Sequence, residues 1–355
     1  MTLRSLPRFA MVTYRSAGDD WLTYESFARS ILETWSLEGG EPLFFYQPLF
    51  RYIRFAQHFL LGDGDAFFAI LDLACLNWAV FWLAGRLWPR RGLPWPGTAL
   101  FAAPGLLLLA LVNSATVVSF LQAGLSEVHT WMFLPLALPL LLVSRSTRAW
   151  LGGTALLGLS FLARTDQAPG VLALFLVFGW RALRARPRAL RAVAGTGLLL
   201  AAMALLPSAH NLYYGRRLVS LPTSGQVQDN LVLRPARLPT LLRDAEARAR
   251  AGDRVRGMFY LIPSREGLLH VALRGLQVAW ALAPVALLVR ARRAAATAWA
   301  LWLVPFCYLG IYLFYELRVY YPRHVLIGYV AMGAAAMYAA RAAGGRPATS
   351  RRTGG

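Results

Sequence analysis

Charge is scarce in this chain. Only 15% of its 355 residues are Asp, Glu, Lys or Arg, against roughly a quarter in soluble domains, and 57% are hydrophobic, with a mean hydropathy of +0.46. That balance excludes an ordinary soluble domain and reads as an integral membrane protein. Lysine is absent, so all 37 basic residues are arginine, and against 17 acidic residues they leave a formal net charge of +20. Cysteine is nearly absent too. Cys75 and Cys307 both lie in apolar runs, which suits packing and argues against a disulfide or a cysteine metal pair. No internal repeat or low-complexity block stands out apart from a polar tail from Ala342.

The arginine excess does not require a nucleic acid, because short cytoplasmic connections of membrane proteins accumulate positive charge. Apolar runs predict helices over Phe67 to Leu87, Thr98 to Val118, His129 to Val143, Ala149 to Ala163, Ala168 to Trp180, Val193 to Leu206, Val271 to Val289, Ala296 to Tyr315 and Val325 to Ala340. The expectation is an all-α, polytopic membrane bundle of about nine helices. Alternate connections hold Arg86, Arg90 and Arg91; Arg145 and Arg148; five arginines from Arg181 to Arg191; Arg290, Arg292 and Arg293; and Arg341, Arg346, Arg351 and Arg352. The intervening short connections hold only Arg164, Arg318 and Arg323. No acidic residue lies in an inward loop, and only Asp72 falls well inside a helix. The N-terminal end is therefore outside and the C-terminal end inside. Several runs fall short of the roughly 20 residues of a simple span. Ala149 to Trp180 thus reads as two short helices around Arg164-Thr165-Asp166-Gln167 or as a pair lining an outer cavity.

This divides the chain into an outer segment 1–65, membrane helices 66–206, a long outer loop 207–268, further membrane helices 269–341 and an inner basic tail 342–355. Residues 1–18 carry Arg4, Arg8 and Arg15 but no apolar run of spanning length, so they read as neither a signal peptide nor a membrane helix. With that end outside, the expectation is that one upstream helix is missing from the sequence.

Chemistry-bearing residues gather on the outer side. Asp19 and Asp20 precede Trp21, Tyr24, Phe27, Ala28, Ile31, Leu32 and Trp35, whose three-and-four spacing describes an amphipathic helix lying along the outer surface. An Asp ahead of a helix is an N-cap, and capping and catalysis can coexist. Pro48 can open a second helix, on which Arg51, Arg54 and His58 share a face. That stripe reads equally as a solvated face reaching lipid phosphates or as a donor-phosphate site. Gly62 caps this helix, and Asp63 or Asp65 starts the next. Further outer groups are Glu127 and His129, Arg164 and Asp166, His210 and Asn211, and Arg318, Arg323 and His324. Together they suggest a polar cavity, since boundary charges are costly without partners. Asp72 and Asn77 are assigned to interhelical hydrogen bonds.

Gly18-Asp19-Asp20 with Tyr24 and Ala28, then Tyr46-Gln47-Pro48-Leu49, a long loop opening with His210-Asn211-Leu212-Tyr213-Tyr214-Gly215, and a late Tyr321-Pro322-Arg323 resemble the GT-C superfamily of membrane glycosyltransferases. The branch with protein O-mannosyltransferases and the aminoarabinose transferases of lipid A is the most similar. The likeness spans nearly the whole chain in order. It implies inverting transfer of a sugar from a polyprenyl-phosphate donor to a hydroxyl acceptor on the non-cytoplasmic face. In those relatives an acidic pair in the first outer loop carries the chemistry, its leading Asp four residues before a Tyr. Asp20 has that spacing to Tyr24, which puts Trp21 where a Glu is common, and Asp19 supplies the second carboxylate. The paired prolines of the family, preceded by Lys or His, are reduced to Gln47-Pro48-Leu49, so a basic contact to the donor would move to Arg51 or Arg323.

The chemistry needs a base for the acceptor hydroxyl and positive charge for the leaving phosphate. Asp20 and Asp19 are the catalytic candidates. Arg51, Arg164 or Arg323 would stabilise the phosphate, and Tyr24, Tyr46, Gln47, Arg54, His58, Glu127, His129, Asp166, His210 and Asn211 would line the substrate site. No cofactor is assigned by the sequence, with a divalent cation as the open alternative. Some relatives use a divalent cation as Lewis acid, and Asp19, Asp20, Glu127 and Asp166 could hold one. The partners implied are the polyprenyl-phosphate sugar, membrane lipid and an acceptor the sequence does not name. Two other readings are a transporter or lipid flippase, and an inactive relative acting as an assembly partner. Alternating access would place polar groups near the midplane rather than on one face.

Overall fold

The computed structural model describes residues 19–44, 47–88, 105–106, 108–110, 112–113, 115–122, 124–144, 146–185, 189–219, 243–246, 248–249, 292–304, 307, 330–339 and 341. Among these residues every regular element is helical: α1 (Asp19–Thr34), α2 (Pro48–Leu61), α3 (Asp65–Leu87), α4 (Ala115–Gln122), α5 (Glu127–Leu142), α6 (Thr147–Ala163), a 3₁₀ turn (Thr165–Gln167), α7 (Ala168–Ala185), α8 (Leu190–Gly215), α9 (Arg292–Leu303) and α10 (Val330–Ala339). Phe67–Leu87 and Leu190–Gly215 are long and apolar enough to cross a membrane; Glu127–Leu142 and Val330–Ala339 are shorter apolar helices. The expected span Val271 to Val289 lies outside the described residues.

The core forms around α5, which packs between α3 and α6. Leu76, Val80 and Leu83 of α3 meet Trp131, Leu134 and Leu138 of α5, with Leu157 of α6, Leu174 of α7 and Leu301 of α9 completing the cluster. Small residues set the α6 spacing. A β-carbon on Gly153 would stand 2.6 Å from Leu141 Cγ, and one on Gly158 would overlap Met203, so α6 fits between α5 and α8 only without side chains there.

Four local expectations change. The aromatic stripe of α1 is only partly outward: Tyr24, Ala28 and Ile31 are buried where α1 packs on α2, while Trp35 is exposed. Asp19 and Asp20 are themselves helical, so neither holds the non-helical position that an N-cap needs. The run Thr98 to Val118 is not one helix. Asn113 stands in a turn ahead of α4, and its side-chain amide donates to Leu109 O and Asn77 Oδ1, both at 2.7 Å. Finally, α8 continues to Gly215, nine residues beyond the apolar run, because Pro207, Ser208 and Asn211 bury one face after hydropathy falls. His210 to Gly215 are therefore the last turns of a helix rather than the opening of the outer loop.

Candidate functional site

Pro48 starts α2 in its first turn, where the missing N–H costs nothing. The helix then points Arg51, Arg54, Gln57 and His58 into the protein, all buried. The Arg51 stripe is therefore not a solvated face, and each guanidinium meets a carboxylate that the sequence analysis did not single out. Arg51 Nη2 donates to Glu41 Oε2 at 2.9 Å and Nη1 to Gly39 O at 2.7 Å, while the Phe27 and Phe44 rings cover it at 4.3 and 4.7 Å. Gly39 turns at φ +65°, and a β-carbon there would stand 2.7 Å from Arg51 Cδ. Beside it the Tyr52 hydroxyl donates to Leu37 O at 2.5 Å. Burial pushes the Tyr52 phenol up to about 12, so it stays protonated and keeps donating.

One turn on, Arg54 Nε donates to Glu25 Oε1 at 2.6 Å and Nη1 to Gln57 Oε1 at 3.0 Å. Gln57 Nε2 donates to Asp72 Oδ1 at 2.8 Å, tying α2 to α3 as the interhelical reading of Asp72 expects. His58 Nε2 lies 2.5 Å from the other Glu25 oxygen, and its Nδ1 is 3.0 Å from Asp63 Oδ1 without hydrogen-bond geometry. Buried charge is costly unless paired, and this chain of partners meets that need across three helices. His129 stands at its far end. Its Nε2 is 3.4 Å from Asp72 Oδ1 without hydrogen-bond geometry, and Phe50 lies beside the ring at 5.2 Å.

A second group of polar contacts forms where α1, α2, α5 and α6 end together. The Tyr24 hydroxyl accepts from Gln47 N at 3.4 Å, and the Tyr24 ring meets Phe50 edge-on at 4.7 Å. Gln47 Oε1 accepts from Thr165 N at 2.9 Å and Oγ1 at 3.3 Å, so the loop before α2 is fastened to the turn after α6. In the same turn Arg164 Nη1 donates to Glu127 Oε1 at 2.7 Å, reaching the first turn of α5. Positions 19 and 20 begin α1 one turn ahead of Tyr24. Tyr24, Gln47 and Thr165 are thereby joined, and Arg164, next to Thr165 in the chain, carries the link on to Glu127.

His210 and Asn211 serve the same loop from the far side. The His210 ring stacks on Phe44 at 3.6 Å, with Nε2 3.1 Å from Glu38 O, and Asn211 Oδ1 accepts from Phe44 N at 2.8 Å. They hold residues 38–44 in place rather than joining the Tyr24 group. Tyr46 and Arg323 lie outside the described residues, as do the side chains of Asp19, Asp20 and Asp166. Of the four acidic residues assigned to a cation, only Glu127 has a described side chain, and it is engaged with Arg164. Among the described residues no three His, Cys, Asp or Glu stand together as a metal site.

Glu25 and Glu41 are the two charged residues that sequence reasoning missed. Glu25 follows Trp21 by four and precedes Ala28 by three, so the periodicity that marked the buried face already included it. Glu41 lies in a loop, where no periodicity operates. Comparison with known proteins brings no match: no protein-family model, no curated protein and no solved structure matches the chain.

Proposed function

We propose that this chain is a multi-pass membrane glycosyltransferase that moves a sugar from a polyprenyl-phosphate donor to a hydroxyl acceptor on the outer face. One observation carries the reading. The polar contacts of Tyr24, Gln47, Thr165, Arg164 and Glu127 gather at one end of the helices, next to the helix that starts with the acidic pair, as a reaction at a membrane boundary requires. In the proposed step Asp20 takes the acceptor hydroxyl proton. The freed oxygen attacks the anomeric carbon from the face opposite the phosphate, the carbon–oxygen bond to the phosphate breaks, and polyprenyl phosphate leaves with that electron pair. Arg164, oriented by Glu127, supplies positive charge to the leaving group. Arg51 and Arg54 are assigned to structure, since their carboxylate partners bury them.

Purified protein in vesicles is expected to release labelled polyprenyl phosphate from a polyprenyl-phosphate sugar when a hydroxyl acceptor is present. Movement of intact donor across the bilayer without release would instead favour a flippase. The orientation has its own test, motivated by the arginine asymmetry. Single cysteines replacing Ser16 and Ser224 are expected to react with an impermeant thiol reagent in intact cells, and one replacing Ser146 is not. Labelling at 146 with protection at the other two would reverse the topology.

A further inference from the structure

Helix α2 is built inside out. Its polar residues Arg51, Arg54, Gln57 and His58 face the protein, while Phe59, Leu60 and Leu61 are 56%, 73% and 47% exposed. A helix bordering water does the reverse. Trp35, at the end of α1, extends the exposed apolar surface. It is 69% exposed and meets Phe59 edge-on at 5.8 Å and Phe55 at 6.3 Å. Its backbone is left-handed, at φ 51°, a conformation that glycine ordinarily supplies at a helix end and that costs another residue about 1 kcal/mol or more. The strain holds an indole outward where glycine would be easier.

The occupant of this patch follows from its continuity with α3. The turn Gly62 to Gly64 leads directly into that membrane-length helix, whose outward side chains Phe67, Ile70, Trp78 and Phe81 are all exposed. A helix joined by so short a turn to a spanning helix sits at the depth where that span ends, so its apolar side chains meet the membrane boundary. Indole rings prefer the boundary between headgroups and acyl chains. We propose that Trp35, Phe59 and Leu60 seat the α1–α2 hairpin in the interfacial layer of the bilayer, with the Arg29–Asp63 ion pair at the wet rim. This rests on the multi-pass membrane reading and adds that the hairpin is a lipid-bound element of its own.

Nitroxide labels test it in full-length protein with Cys75 and Cys307 replaced by alanine, in phosphatidylcholine–phosphatidylglycerol vesicles. Single labels at 35, 59 and 60 are expected to collide severalfold more with oxygen than with a water-soluble nickel chelate, and a label at exposed Glu33 is expected to do the opposite. Nickel collision at 59 and 60 equal to that at 33 would overturn the proposal by placing the patch in water. Shielding from both agents would overturn it by placing a protein there, a second copy if spin–spin broadening disappears on dilution with unlabelled chain. A label at Trp78 separates the two ideas: if it too meets nickel, the membrane reading fails; if it meets oxygen alone while the hairpin labels meet nickel, only the docking fails. Trp35→Gly, which relieves the left-handed backbone, is expected to leave the thermal midpoint unchanged and to raise nickel collision at a Leu60 label severalfold. An unchanged Leu60 label would remove Trp35 from the anchor.

Discussion

Asp20→Asn is expected to lower sugar transfer by about 100-fold or more, the usual cost of removing a general base. The substitution keeps the size of the side chain and a polar head, so packing around the start of α1 is preserved. The helix dipole favours a carboxylate in the first turn by about 0.3–1 kcal/mol, which the neutral amide gives up. A capping explanation is weak here, because Asp20 is itself helical and an N-cap is not. Rates at matched expression, with the thermal midpoint measured beside them, therefore separate chemistry from folding. Asp19→Asn should cost less, since Asp20 has the one-turn spacing to Tyr24, whose hydroxyl is tied to the Gln47 backbone. Adding a chelator to the wild type tells a base from a cation ligand, because only the latter makes the wild type lose activity as well. Wild-type transfer by Asp20→Asn would remove the acidic pair from the chemistry.

Helix positions were legible wherever an apolar run coincided with a helix, as in α3 and α6, because hydropathy and hydrogen bonding then end close together. They separate in α8. There Ser208 and Asn211 are buried against protein, so the helix persists after the hydrophobic signal stops. The run ending at Val118 is interrupted where Asn113 turns ahead of α4, within a stretch that hydropathy reads as continuous. Side-chain partners were less legible still. Arg51 and Arg54 announced themselves by their spacing, but whether such a stripe faces phosphate or a buried carboxylate depends on what packs over it. That information lies in Glu25, on another helix, and Glu41, in a loop. The link from Gln47 to Thr165 spans 118 positions in the sequence, which no local pattern encodes.

The opposed readings of Arg51 give the second large effect. Arg51→Met is expected to destabilise the protein by about 3–5 kcal/mol, because it leaves the Glu41 carboxylate without its buried cation. The loss also strips a donor from Gly39 O, which fixes the turn ahead of α2. Pairing it with Glu41→Leu should restore most of the stability, since an apolar pair of similar volume is often as good as a buried ion pair. Chemical denaturation in detergent would measure both variants, and transfer assays below the unfolding transition would follow activity. A phosphate-binding Arg51 predicts a different pattern. The single variant would then keep its stability and lose transfer, and the second substitution would rescue nothing. Recovery of stability together with activity in the double variant would assign Arg51 to the scaffold, leaving Arg164 as the described arginine best placed beside Tyr24 and Gln47 to meet a donor phosphate.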